Sequence, residues 1–336
     1  MGAGTEDKPT WAVVPPQVRL AVARVLGSPV VRARRSYGGY GPSATFVLTL
    51  ADGRRAFFKG TYPLPEDSGV RWSLDREEKV YRRLGRVIAP WAPAYLGSVR
   101  AEGWHGLLLE PLASRSVLPW TRPKARRAAE SYAAFHASTL GQQLPTWLSR
   151  TQHREFSGYW PKIAWDAAAL ERLTGLAGER SAEARAWLRS SMRALRQGER
   201  ALRRAGGPCA LLHFDTRSDN IRLEGALLRM FDWPFASVGP PEIDIVAFAQ
   251  TIEAEDGPRS DAVLKWYEAV LPLRHDVLVG SIVGIAGYFA DRAPRPDVPE
   301  LPRLRSIQRR QLKASLRWAA AVLDLPEPSW LAAVPR

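Results

Sequence analysis

Residues 30–59 constrain the fold more than any other stretch. Val30, Val31 and Ala33 begin a β-type run, and residues 36–43 (Ser-Tyr-Gly-Gly-Tyr-Gly-Pro-Ser) form a glycine-rich turn. Residues 45–50 are a second β-rich run, Asp52-Gly53 is a hairpin signal, and residues 55–59 form a third strand ending in Lys59. Strand, turn, strand, hairpin and strand in succession make an antiparallel sheet with no helical crossover. That excludes a βαβ unit, and with it the Rossmann and Walker A phosphate loops. Gly38 and Gly39 would let backbone N–H groups approach a phosphate closely, with Ser43 at the end of the same turn. A strand lysine is commonly a solvated edge residue. The apolar flank of Lys59 and the motifs downstream favour a binding role instead.

Ahead of this run, Val18, Ala21, Val22 and Val25 stand at helical spacing, which predicts a helix over 17–26 ending at Gly27. After it, Pro63, Pro65 and Gly69 mark a loop. A helix over 73–84 follows, with Ser73 as its cap and Asp75, Glu77 and Glu78 in its first turns. One of those acids could face back to Lys59. Residues 94–98 and 106–112 read as two more strands. Beyond Glu110-Pro111 strands become scarce, so the chain divides into residues 1–112 and 113–336. The second part reads as helices over 123–140, 161–177, 182–204, 243–252, 260–270, 275–290 and 305–323. Trp187, Leu188, Met192 and Leu195 form a buried stripe on one of them. His136 lies on a helix side that also carries Ala129, Tyr132 and Phe135, which suits packing better than ligation. The fold class is α+β: a small antiparallel-β part followed by a mostly helical one.

One hairpin interrupts the helices. Residues 211–223 place His213, Asp215 and Asn220 between apolar pairs, and Phe231-Asp232-Trp233 follows. Phosphoryl transfer asks for a carboxylate near the attacking hydroxyl, ligands for Mg²⁺, and cations on the triphosphate. Asp215 would orient or deprotonate the acceptor hydroxyl. Asn220 and Asp232 offer the hard oxygens that suit Mg²⁺, and Lys59 with the glycine-rich turn would face ATP.

These motifs resemble the aminoglycoside phosphotransferase family, whose relatives include choline, homoserine and fructosamine kinases and which shares the bilobal protein-kinase-like fold. The family's His-Gly-Asp-x₄-Asn and apolar-Asp-Trp signatures are matched by His213-Phe214-Asp215 through Asn220 and by Phe231-Asp232-Trp233. The resemblance implies that Glu77 rather than Glu78 partners Lys59, and that Asp244 is a structural acid at a helix start. It also implies that residues 106–112 enter a hinge whose backbone groups, at Glu110 and Leu112, hold adenine. Two departures stand out. Phe214 replaces the usual glycine, and Ser43 stands near the place of the family's asparagine in the glycine loop. Arg217 lies where protein kinases put a lysine that meets the transferring phosphate; it could do the same, or pair with Asp219.

The net charge is +14. The excess is mostly arginine spread along the chain, and no zinc-finger, RNP or basic-zipper pattern accompanies it, which argues against a nucleic-acid partner. Cys209 is the only cysteine, so no intramolecular disulfide can form. It precedes an apolar run and reads as a small hydrophobe rather than a nucleophile. The first residues lack a basic start followed by an apolar stretch, and the run 277–290 is too short to span a membrane. Together these point to the cytoplasm. The expected activity is transfer of a phosphoryl group from ATP, with Mg²⁺, to a hydroxyl of a small molecule; a non-catalytic nucleotide-binding scaffold is the alternative. Asp219, Glu242, Glu253, Glu255 and Asp256 could line an acidic pocket for a polycation, while the 13 tryptophans would suit a planar or sugar-like acceptor. The sequence specifies no oligomeric state.

Overall fold

The computed structural model describes residues 9–36, 43–63, 74–112, 116–299 and 301–335. Gly38, Gly39 and Ser73 lie outside the described residues. The chain forms two compact units. The first comprises Met1–Ser116, Asp219–Phe235 and Asp297–Pro302; the second comprises Val117–Ser218, Ala236–Pro296 and Arg303–Arg336.

The first unit is built on a five-stranded sheet of β1 (Val30–Arg35), β2 (Ala44–Leu50), β3 (Arg55–Thr61), β4 (Tyr95–Ala101) and β5 (Trp104–Leu109), in the order β1-β2-β3-β5-β4. All four pairings are antiparallel. Alternation along β2 sends Ala44, Phe46, Leu48 and Leu50 to one face. There they pack with Val18, Val22 and Leu26 of helix α1 (Pro16–Leu26). That helix starts on a proline and stops at Gly27, whose φ of +68° closes the last turn. Phe58 sets the thickness of this layer. Gly60 and Gly106 pair across β3 and β5, and a Cβ on either would come within 2.5 Å of the Phe58 ring. Helix α2 (Asp75–Ile88) starts after Leu74 and runs four residues past the expected end at Leu84. Its acids Asp75, Glu77 and Glu78 sit in the first turn, where the helix dipole favours negative charge. The hairpin Ile221–Glu224/Leu227–Met230 belongs to this unit. The Met230 N–H donates to Trp91 O at 2.6 Å, and Arg229 pairs with Glu110 at 3.1 Å.

The second unit is helical. Helix α3 (Arg122–Thr139) is capped by Thr121. The single helix expected over 161–177 is two, α4 (Tyr159–Trp165) and α5 (Ala167–Gly175). Asp166 causes the break: its backbone is extended, and its Oδ1 accepts from the N–H groups of Ala168 and Ala169 as an N-cap. Likewise 182–204 divides into α6 (Ser181–Gly198) and α7 (Arg200–Arg204). Trp187, Leu188 and Leu195 are buried as expected, whereas Met192 is only half-buried. Helix α8 (Pro241–Ala254) is buried on nearly every side, and α9 (Ser260–Glu268), α10 (His275–Arg292) and α11 (Leu304–Val322) surround it. The glycines of α10 allow close approach: a Cβ at Gly284 would meet Phe156 O at 2.7 Å. A two-stranded antiparallel ladder, Ala210–Leu212 with Ser237–Gly239, leads into the Asp215 loop. No helix among the described residues is long and apolar enough to cross a membrane.

Candidate active site

Strand alternation puts Lys59 on the face of β3 opposite Phe58. Its Nζ lies 2.7 Å from Glu77 Oε2 and 2.7 Å from Asp232 Oδ1. Burial alone would lower the pKa of Lys59, but the charges of Asp232 and Glu77 outweigh it and raise the pKa well above the usual lysine value. Burial pushes Glu77 up; Lys59 opposes that shift and Asp232 adds to it. Glu78, one residue on, faces elsewhere. Its carboxylate accepts from Ser98 at 2.6 Å and from Arg100 at 3.0 Å. Asp75, Glu78 and His105 bring potential metal-ligand atoms within 4.8 Å of one another. Arg100 already bridges the two acids, so this group is an ion-pair network rather than a metal centre. Asn220 is buried, and its carbonyl accepts from Phe231 N at 3.0 Å, which ties it to the residue before Asp232. Asp232 has φ +70°, a left-handed conformation that aspartate tolerates better than most residues. Ser43 is half-buried just before β2, and Leu112 is half-buried beyond β5. The Glu110 N–H donates to Ala94 O, and its side chain pairs with Arg229.

In the second unit the loop before Asp215 hangs on one buried carboxylate. Asp244, in the first turn of α8, accepts from His213 N at 2.6 Å and from Phe214 N at 2.9 Å. Its Oδ2 also lies 3.3 Å from His136 Nε2, and the other ring nitrogen of His136 meets the Tyr267 hydroxyl at 2.7 Å. Burial would raise the pKa of Asp244. Hydrogen bonds from His136 and Tyr132 and the nearby histidine charge bring it below the usual range. The Tyr132 hydroxyl meets Thr216 Oγ1 at 2.6 Å, fixing the residue after Asp215. His213 Nδ1 accepts from Asp215 N at 3.2 Å, so His213 is part of the scaffold. Phe214 takes φ +67°, the backbone geometry its family glycine would adopt freely. Arg217 Nε lies 3.3 Å from Asp215 Oδ1. Ser218 donates to Glu255 at 2.6 Å, and the second Glu255 oxygen accepts from Trp120 Nε1 at 2.8 Å.

A family model described as the phosphotransferase enzyme family matches residues 37–276. The chain belongs to this family. Among solved structures it resembles a spectinomycin phosphotransferase in complex with ADP and spectinomycin, at 11% identity and TM-score 0.57, over 95% of this chain and 96% of that one. An aminoglycoside phosphotransferase from Alicyclobacillus acidocaldarius aligns at 15% identity and TM-score 0.54, over 94% and 98%. A choline kinase from Cryptosporidium parvum aligns at 12% identity and TM-score 0.52, over 96% and 96%. Identities this low speak to the fold, and they show the α+β, kinase-like class expected from the sequence. A comparison with curated protein sequences finds no match.

Several members of this phosphotransferase's loop support are not legible as motifs. Tyr132, His136 and Tyr267 come from α3 and α9, and nothing in their spacing announces that they converge on Asp244. Trp120 and Glu255 are equally silent in the sequence. The signal that existed was polarity: His136 and Asp244 are polar residues set among apolar ones on predicted helices, and such groups when buried must find partners. Cys209 is half-buried with its thiol pKa raised by burial, which disfavours a nucleophilic role.

Proposed function

We propose that the chain is an ATP-dependent phosphotransferase that moves the γ-phosphoryl group to a hydroxyl of a small molecule. The observation that carries this reading is the half-buried Lys59, fixed between Glu77 and Asp232. A lysine held fully charged by two acids is a point cation ready for triphosphate oxygens. Glu77 would keep it there, and the residues around Ser43 would lie along the phosphates. Glu110 and Leu112 would meet the adenine through backbone groups; since the Glu110 N–H already serves Ala94, its contact would use the carbonyl.

Asn220 and Asp232 would offer a carboxamide and a carboxylate oxygen, a donor set that fits Mg²⁺. A bound Mg²⁺ would neutralise charge on the phosphate oxygens. Asp215 would hold the acceptor hydroxyl and take its proton as the acceptor oxygen bonds to phosphorus and ADP departs. Arg217, already 3.3 Å from Asp215, would place its charge where the transferring phosphoryl oxygens become crowded with negative charge. The family and the loop geometry support these roles.

The test is ADP release from Mg²⁺–ATP over a panel of acceptors. Asp215→Asn should lower acceptor-dependent turnover by about 10²–10⁴-fold, the usual worth of a positioned base. Stabilisation of that variant by Mg²⁺–ATP should persist. Full turnover in the variant would remove Asp215 from the chemistry. A wild-type protein that gains stability from Mg²⁺–ATP yet turns over nothing would point to a nucleotide-binding scaffold.

A further inference from the structure

The surroundings of Asp215 bear on the acceptor, and the inference rests on the phosphotransferase reading. Phe214, next to Asp215, stacks on Phe156 with ring centroids 5.5 Å apart and planes 22° apart. Phe156 in turn meets Tyr288 of α10 at 5.1 Å. One turn on, the Arg292 guanidinium lies 5.4 Å from the Tyr288 ring centroid. All of these side chains are half-buried, as are Asp215 and Arg217. They form a wall rather than a sealed core. Burial pushes up the pKa of the Tyr288 hydroxyl; Arg292 opposes that, and the charges of Asp215 and Arg217 also reach it. The wall therefore lies within electrostatic range of the Asp215–Arg217 pair.

Four of the five acids that could have received a polycation are committed elsewhere. Glu242 is buried and pairs with Arg274 at 2.8 Å. Glu253 accepts from the backbone and hydroxyl of Ser260. Glu255 holds Ser218 and Trp120, and Asp256 pairs with Arg310 at 2.8 Å. Asp291, the acid beside Arg292, is buried and pairs with Lys162 at 2.7 Å and with Arg295 at 2.5 Å, and only loosely with Arg292, at 3.7 Å. A polycationic ligand needs carboxylates to replace its hydration, and these already serve internal donors. What flanks the aromatic wall instead is guanidinium charge.

We propose that this phosphotransferase takes a ring-bearing hydroxyl acceptor that carries negative charge. Its ring packs on Phe214 and Tyr288, its anionic group meets Arg292, and its hydroxyl is presented to Asp215. Stacking supplies affinity that tolerates different rings, and the guanidinium supplies the charge preference.

The experiment compares three probes with one scaffold and different charge: 4-nitrophenyl β-glucuronide, 4-nitrophenyl β-glucoside and 4-nitrophenyl β-glucosaminide. Kanamycin and spectinomycin are added as cationic references. Thermal stabilisation in Mg²⁺–ADP and ADP release from Mg²⁺–ATP are both read. The glucuronide should bind at least about tenfold more tightly than the glucosaminide, the worth of a single half-buried charge contact. Arg292→Gln should bring the glucuronide-to-glucoside ratio to near one, and Tyr288→Ala should weaken all three probes. A preference for the glucosaminide or the antibiotics, equal binding of all charge classes, or no stabilisation by the anionic probe would each overturn the proposal. Binding of Mg²⁺–ATP is read separately: its loss would indict the phosphotransferase reading, whereas its persistence with a cationic preference would indict the acceptor class alone.

Discussion

Asp244→Asn probes what holds the loop ahead of Asp215. The native carboxylate is fully buried and serves two backbone donors, His213 N at 2.6 Å and Phe214 N at 2.9 Å. Asparagine keeps the shape but offers a single acceptor oxygen. One loop N–H would then face an amide NH₂, donor against donor. A hydrogen bond to a charged acceptor is worth about 1.5–3 kcal/mol, and an unsatisfied buried donor costs about 1–3 kcal/mol more. The sum, about 2.5–6 kcal/mol, brackets the usual cost of removing one member of a buried charged pair, about 3–5 kcal/mol, and that inner range sets the expected shift. At roughly 2 °C per kcal/mol for a chain of this size, Tm should fall by about 6–10 °C in calorimetry at pH 7. The pH dependence fixes the sign. A carboxyl whose folded pKa is depressed stabilises the fold above its unfolded value, about 3.9. That contribution is lost as pH falls through the folded pKa, so the gap between wild type and variant should narrow below roughly pH 4. A drop of less than about 2 °C at pH 7, or a gap that stays constant into acid, would refute the claim that ionised Asp244 organises the loop.

Three further outcomes are expected. Lys59→Met leaves Glu77, 1% exposed, and Asp232 without their shared cation, so unfolding free energy should fall by about 3–5 kcal/mol at pH 7 and stabilisation by Mg²⁺–ATP should vanish; an unchanged urea midpoint would contradict this. Phe214→Gly relieves a left-handed backbone worth about 1–2 kcal/mol while losing a ring contact worth about 0.5–1.5 kcal/mol, so stability measured by urea unfolding should move by no more than about 1.5 kcal/mol. Glu199 is buried with its Oε2 unpartnered, and burial lifts its pKa to about 7 against the Trp160 amide and nearby arginines. A raised folded pKa gives stability that is whole below the unfolded value and lost as pH rises toward 7; Glu199→Gln should therefore equal wild type near pH 4 and exceed it by up to about 3 kcal/mol at pH 8 in urea titrations.

The sheet was readable because its signals are local. Gly27 ends α1 in a left-handed turn, Asp52-Gly53 closes β2 onto β3, and β2 alternates cleanly. The break at Asp166 is not legible because a cap differs from a helical residue in backbone geometry, and an aspartate early in an apolar-periodic run reads equally well as surface charge; at Glu199 the backbone itself stays helical. Sequence spacing left Glu77 and Glu78 open as partners for Lys59. Adjacent helix positions point roughly 100° apart. The fold sends Glu77 to Lys59 and Glu78 to Ser98 and Arg100. Four of the five acids proposed for a polycation pocket show the opposite failure. Glu242, Glu253, Glu255 and Asp256 are correctly seen as carboxylates, but their partners Arg274, Ser260, Trp120 and Arg310 come from distant or separately folded elements.

The loop from His213 to Asn220 looks like one motif, yet its supports are of two kinds. Asp215 belongs to the second unit, where Asp244, His136 and Tyr132 hold the backbone around it. Asn220 and Asp232 belong to the first, with Lys59 and Glu77. The proposed base and the proposed phosphate and metal ligands are thus braced by different buried charges. Substitutions in one brace should leave the other's binding intact. Asp244→Asn, if it folds, should lose acceptor turnover while keeping its stabilisation by Mg²⁺–ATP; Lys59→Met should lose that stabilisation at once. The pair separates damage to the proposed catalytic loop from damage to the proposed nucleotide site, which a single Asp215 variant cannot do.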